Sequence, residues 1–379
     1  MRAYFLLMVV CCGCAEQEPK RSGDDTDRPT TVSTAASAVI ELPSVEDVDG
    51  LIVDPPGPTP EGMVWVPGGQ FVMGSEPPAD YQRRNPHRLK PDESPRRRMA
   101  VDGFWMDTHE VTNRQFAAFV SETGYVTVAE RPMDAEELKA QGVDVDRLPE
   151  GSLDPAALVF NKHIDPRVLR PGAPGWEMAA WQLIKGADWR HPFGPESTIE
   201  GRDDEPVVQV AYEDAVTYAA WAGKSLPTET EWEYAARGGL SEALYPWGNE
   251  REPDGEYRSN YFQGTFPADH RVLDGFEDLA PVGSFPANGY GLHDMAGNVW
   301  EWTADRYHHR AYDMRPLRNM PGPKTSLDPM EPQIAKRVTR GGSYLCNVNN
   351  CTGYRCAARM RSDELSAACH TGFRCVRRP

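Results

Sequence analysis

Apolar positions along this chain come in short bursts separated by Gly, Pro, Asn and Asp, and few bursts are long enough for a helix. Met63 to Val66 and Gln70 to Met73 flank Pro67-Gly68-Gly69, which predicts two short strands around a turn within Met63 to Gly74. Val101 to Met106 reads as a further strand. Thr112-Asn-Arg-Gln115 has the spacing of a capping box and predicts a helix through about Ser121, ended by Gly124. Ala211 to Ala222 is apolar on one face with Gly223 as its stop, and Thr228-Glu-Thr-Glu231 is a second capping box opening a helix that runs to Gly238. Between these, residues 130–205 show no sustained period apart from a short helix near Met133 to Gln141, so they are expected to form a long loop region with its own packing or function. Residues 76–99 are polar and broken by proline; Arg83, Arg84, Arg88, Arg96, Arg97 and Arg98 there are expected on a solvated loop. With 33 Gly, 34 Pro and ten Trp, the pattern predicts a loop-rich α+β domain held by aromatic packing, not a helical bundle or a parallel sheet.

The N-terminus changes the picture. Met1-Arg2 followed by an apolar run and Cys11-Cys12-Gly13-Cys14 describes an export signal of the bacterial lipoprotein kind, with Cys14 the expected lipidated residue and Cys12 the alternative. An ordinary cleaved signal peptide is the other reading. Residues 15–60 are rich in Asp, Glu, Ser, Thr and Pro and cannot bury enough apolar surface to order themselves, so they are expected to be a tether ahead of a domain spanning 61–379. The expectation is a monomer in the cell envelope, attached only through an N-terminal lipid. A net charge of −17 argues against a nucleic-acid partner, which would need a basic face.

The candidate chemistry lies near the C-terminus, in Arg340-Gly-Gly-Ser343-Tyr-Leu-Cys346-Asn-Val-Asn-Asn-Cys351-Thr-Gly-Tyr-Arg-Cys356. Residues five apart sit on opposite faces of a strand and about 140° apart on a helix, so two cooperating thiols require a loop between them. Asn347, Asn349, Asn350 and Gly353 supply turn formers, and Gly341-Gly342 permits a close backbone approach. Such a pair can be a disulfide, a redox couple or a soft-metal site.

The run GGSYLCNVNNCTGYRCAAR with GFRC at Gly372 to Cys375 resembles the active-site segment of the formylglycine-generating enzymes, the sulfatase-modifying factors. The resemblance spans about Gly62 to Cys375 through GMVWVPGGQFVMGS, DGFWMDTHEVTNRQF, KGADWRHPFGPESTI, WAGKSLPTETEWEYAARGG, PWGN and NGYGLHDMAGNVWEWTAD. It implies the irregular fold of that family, related to C-type lectins, and an oxidase that uses O2 to convert the cysteine of Cys-x-Pro-x-Arg in unfolded sulfatases to Cα-formylglycine. It further implies Cu(I) on Cys346 and Cys351, an active-site role for Ser343, and a substrate contact at Glu110. Trp189 falls in a matching block and is a second candidate contact, although a buried aromatic is the plainer reading. Two structural Ca²⁺ sites are implied, one from Asn260, Tyr261, Asp274 and Phe276, the other from Asp294, Gly297, Val299 and Glu301. Trp300 and Trp302 are candidates for groove walls or for core. Some relatives bridge cysteines at the positions of Ala219 and Ala236 to the equivalents of Cys375 and Cys356; here those bridges cannot form, and one disulfide is expected among Cys356, Cys369 and Cys375, with a zinc site including His370 as a lesser alternative. Asn347 and Asn350 replace His and Tyr of some relatives, which bears on substrate placement. The competing readings are a non-catalytic envelope module binding peptide or glycan, with Cys346 and Cys351 joined, and an iron-dependent sulfoxide synthase, which needs a histidine-rich site.

Overall fold

A computed structural model describes residues 49–76, 91–140, 142–164, 180–313, 318–348 and 351–379. Cys12, Cys14, most of the expected tether, Arg83, Arg84, Arg88, Asn349 and Asn350 lie outside the described residues.

The strands are β1 (Met63–Val66), β2 (Gly69–Met73), β3 (Arg97–Val101), β4 (Phe104–Asp107), β5 (Ala156–Phe160), β6 (Trp181–Lys185), β7 (Gly264–Thr265), β8 (Asp269–His270), β9 (Trp300–Arg306), β10 (Lys336–Arg340), β11 (Arg359–Asp363), β12 (Thr371–Gly372) and β13 (Val376–Arg377). The helices are α1 (Asn113–Thr123), α2 (Ala135–Ala140), α3 (Tyr212–Trp221) and α4 (Glu229–Ala236). Their starts follow from local chemistry. The Thr112 and Thr228 side chains accept from the amides of Gln115 and Glu231, and those residues' side chains reciprocate, so both capping boxes form. Gly124, at φ 68°, ends α1 in the left-handed conformation.

The strands do not pair as neighbours in sequence. β1 and β2 flank Pro67-Gly68-Gly69 but belong to different sheets: β1 pairs with β4 in the order β1-β4-β13, and β2 pairs with β3. A side chain on Gly68 would meet Ile52 O at 2.3 Å; the Pro-Gly-Gly corner therefore packs on residues 49–54 and does not close a hairpin. Those residues, expected in the tether, dock on the fold: Ile52 O accepts from Gly68 and Gly103, and Val53 O accepts from Trp65 Nε1. The strand expected over Val101 to Met106 is split at Asp102-Gly103 into the ends of β3 and β4. Arg97 and Arg98 lie in β3, not on a loop, and Arg97 is buried with its guanidinium on Ala311 O. The expected loop region 130–205 contains the β5–β6 hairpin, registered Leu158 to Leu183 and Phe160 to Trp181.

The site is positioned by a four-stranded sheet of order β11-β10-β9-β12, antiparallel except for β12 beside β9. β10 and β11 are adjacent strands with Arg340 opposite Arg359, so the thiol segment, residues 341–358, is the loop joining them. Helix α4 lies against β9 and β10.

Candidate active site

Cys346 Sγ and Cys351 Sγ lie 2.8 Å apart, both as free thiols. That is beyond the 2.03–2.05 Å of a disulfide, so the disulfide that the binding-module reading requires is not formed. Two glycines bring the sulfurs together. Gly342, at φ 76°, leaves no room for a Cβ against Gly353 C and Tyr354 N, both 2.5 Å away. A Cβ on Gly353 would sit 2.9 Å from Cys346 Sγ and 2.5 Å from Trp300. Cys346 is buried and Cys351 half-exposed, so the pair has one inner and one reachable sulfur. Burial, followed by the neighbouring Cys351, pushes the Cys346 thiol well above its usual value, while the Ser343 amide donates to its sulfur at 3.4 Å. Ser343 is thus beside Cys346, although its own hydroxyl is buried and accepts from Leu345 N.

The two ends of the loop are gripped by buried ion pairs that sequence reasoning missed. Arg340 donates to Cys356 O at 2.8 Å and Ala357 O at 3.1 Å, and pairs with Glu233 and Glu229. Arg359 makes two bonds to Glu229 at 2.7 and 2.8 Å. Arg355 clasps Glu93 through two 2.7 Å bonds and reaches Thr352 Oγ1 with its Nε. Glu229 and Glu233 flank Glu231, the one acid of that helix that its capping box singles out. Asn347 is buried and anchors the loop to Phe262 O and Gly264 O.

Other expected residues fare differently. Glu110 is fully enclosed, with Oε1 on Asn298 Nδ2 and Oε2 3.8 Å from Arg374, so a direct substrate contact is corrected to a buried acid. Trp189 is a core residue, edge-on to Phe116 and capped by Arg190, not a groove wall. Trp300 and Trp302 are core as well. Cys356, Cys369 and Cys375 are free and occupy three different apolar clusters, so the expected disulfide among them is absent; Cys356 Sγ faces Ala236 O at 3.9 Å and Cys375 packs in the cluster that holds Ala219. Burial lowers His370 to about 3, and among the described residues no group of three His, Cys, Asp or Glu is placed to hold a metal ion, which removes the zinc reading and the histidine-rich iron site.

The two thiols suit a soft cation bound through sulfur. For Ca²⁺ the test is whether oxygens converge. Asn260 Oδ1 is buried without a partner, and Gln263 Nε2 touches both Tyr261 O and Asp274 Oδ2, so three of the expected ligands meet in one place; Asp274 Oδ1 also accepts from Phe276 N. In the second set, Glu301 is engaged by Arg374 and Trp232, and the oxygen without a hydrogen-bond partner belongs to Glu110. Burial and the Asp294 carboxylate hold Glu110 well above the usual range. Three carboxylates around one arginine leave excess negative charge, which fits a cation bound by Asp294 and Glu110 with the Gly297 and Val299 backbone better than one centred on Glu301.

Comparison with known proteins follows the same lines. The chain is 45% identical over 319 residues to the formylglycine-generating enzyme of Mycobacterium tuberculosis, covering 84% of this chain and 98% of the relative. It is 44% identical over 320 residues to that of Thermomonospora curvata, covering 84% of this chain and 94% of the relative. A mouse protein named inactive Cα-formylglycine-generating enzyme 2 is 38% identical over 297 residues, covering 78% of this chain and 85% of the relative. Among solved structures, PvdO from Pseudomonas aeruginosa superposes with a TM-score of 0.54 at 23% identity over 84% of this chain and 94% of that one, a likeness of fold. The model of the sulfatase-modifying factor enzyme 1-like domain matches residues 50–379, and with these relatives it shows that the chain belongs to the formylglycine-generating-enzyme family.

Proposed function

We propose that this chain converts the cysteine of a Cys-x-Pro-x-Arg motif in unfolded sulfatase polypeptides to Cα-formylglycine, with O2 as oxidant and Cu(I) held by Cys346 and Cys351. The observation that carries the reading is the pair of free sulfurs 2.8 Å apart at the tip of a braced loop; a family that includes proteins named inactive makes this pair the decisive feature. Copper, when bound, supplies a soft centre for thiolates and for the reduction of O2.

The rest of the chemistry falls to the chain. Because the Cys346 thiol is raised, it stays protonated until a cation displaces the proton, so metal uptake releases protons. The Ser343 amide then stabilises the Cys346 thiolate. Cys351 presents the open side, where the substrate thiol arrives. Tyr245, Tyr261, Trp300 and Tyr354 exclude water from the inner sulfur. The substrate Cβ loses a hydrogen, and the resulting thioaldehyde hydrolyses to the aldehyde.

Ca²⁺ at the Asn260–Asp274 set, and a second ion beside Asp294, hold the loops that flank the thiols. Export with lipidation at Cys14 would bring the enzyme, as a monomer, to chains exported unfolded; among the described residues no helix is long and apolar enough to cross a membrane. Finding the mature protein only in cytosolic fractions would contradict that part. For the reaction, the purified chain is given Cu(I), air and a Cys-x-Pro-x-Arg peptide, or the same peptide with its Arg replaced by Ala, and products are weighed by mass spectrometry. Aldehyde is expected from the intact motif and lost with a Cu(I) chelator; aldehyde that survives the chelator would rule out copper.

A further inference from the structure

The thiols lie against a cluster whose rings are all tyrosine or tryptophan: Tyr245, Tyr261, Trp300 and Tyr354 are buried with Cys346, and Trp247 and Tyr257 pack on it alongside Cys351. Two other large clusters use phenylalanine freely, Phe160, Phe262 and Phe266 in one and Phe116, Phe119 and Phe373 in the other. Filling space does not account for the difference, since phenylalanine packs as well and brings no polar group to satisfy. Tyrosine and tryptophan differ from it in having a ring that gives up an electron and a proton.

The rings also form a line. Tyr354, in the thiol loop, stacks 6.1 Å from Tyr245, centroid to centroid. Tyr245 stacks 5.4 Å from Trp247 with planes 9° apart. Trp247 is half-exposed and donates its Nε1–H to Glu250 O. On a side branch, Tyr261 is 4.9 Å from Tyr354, and its hydroxyl donates to the Glu252 carboxylate, a ready proton acceptor.

Electron balance gives such a line a task under the function proposed above, on which this inference rests. Converting CH2–SH to CH=S releases two electrons and two protons, whereas reducing O2 to two waters takes four of each. Without a second source, O2 stops at peroxide. We propose that Trp247, Tyr245 and Tyr354 form an electron relay that carries the missing two electrons, one at a time, from a soluble thiol at the surface to the site of the sulfur pair. Tyr354 gives an electron and its phenolic proton inward, Tyr245 refills Tyr354, Trp247 refills Tyr245, and the external thiol refills Trp247. Two thiols are consumed per turnover, yielding one disulfide, two electrons and two protons.

The test uses the full chain in two states. In the copper-free protein, a diffusible ruthenium photosensitiser generates protein radicals, and the tyrosyl signal is read by electron paramagnetic resonance. Its yield is expected to fall several-fold in Trp247→Phe and in Tyr245→Phe, which preserve the packing, and to stay at the parent level in Tyr125→Phe, a tyrosine outside the cluster. With copper, O2 and limiting external thiol, the same two variants should make several-fold less aldehyde and release peroxide. Equal radical yields in the parent and all three variants would overturn the relay. Aldehyde from none of the proteins, with the radical pattern intact, would leave the relay standing and remove the reaction assigned to it.

Discussion

The loop 341–358 is built from two unlike regions. Its ends are held by charges that never see water: Arg340, Arg355 and Arg359 are at most 2% exposed and pair with Glu93, Glu229 and Glu233. Its tip holds Cys346 and Cys351 among aromatic rings, with one sulfur reachable. Buried ion pairs are costly to assemble but fix geometry once made, whereas a sulfur pair that admits a cation and a third thiol must keep some freedom. The contrast shows how a loop this long stays ordered without a regular element of its own: stiffness is placed at the ends and adaptability in the middle.

Removing the grip tests the first half. Arg340→Met leaves Glu233, which is not exposed at all, short of a cationic partner, and should cost about 3–5 kcal/mol in denaturant unfolding. A loss under 1 kcal/mol would show that the ends are not held by charge. Crowding the tip tests the second half. Gly353→Ala forces a methyl against Trp300 and Cys346 Sγ and should cost about 1–3 kcal/mol, while weakening Cu(I) retention in competition with a chromophoric chelator. Unchanged retention would mean that the sulfur spacing is not critical.

The smallest effect concerns Asp305, whose Oδ2 accepts the Glu229 amide at the start of α4. Burial, and then Glu229, raise its carboxyl to about 7. Because its folded value lies above the unfolded one, its contribution favours folding at low pH and is lost as pH rises through 7. Between pH 7 and 8 the parent should lose about 1 kcal/mol more stability than Asp305→Asn. Parallel stability–pH curves would show that Asp305 does not titrate there.

What was legible in the sequence follows the same division. The helix starts could be read because Thr112 and Thr228 act within one turn, and the loop between the thiols followed from spacing and from Gly341-Gly342. The sheet that carries them could not: Lys336, Arg340 and Arg359 are charged yet fully buried on β10 and β11, which breaks the alternation by which half-buried strands are recognised. Their acidic partners come from α4 and from Pro91–Glu93, far off in sequence. Glu110 and Trp189 were misplaced for a related reason, since a motif gives a residue's identity but not which way it faces.

The central claim is that both sulfurs act together. The most direct measurement is the mass of a Cys-x-Pro-x-Arg peptide after incubation with Cu(I), O2 and the parent, Cys346→Ala or Cys351→Ala. The parent should yield aldehyde, and each single variant should lose about a thousandfold or more, as members of one acting unit do. Substantial aldehyde from either single variant would contradict the account.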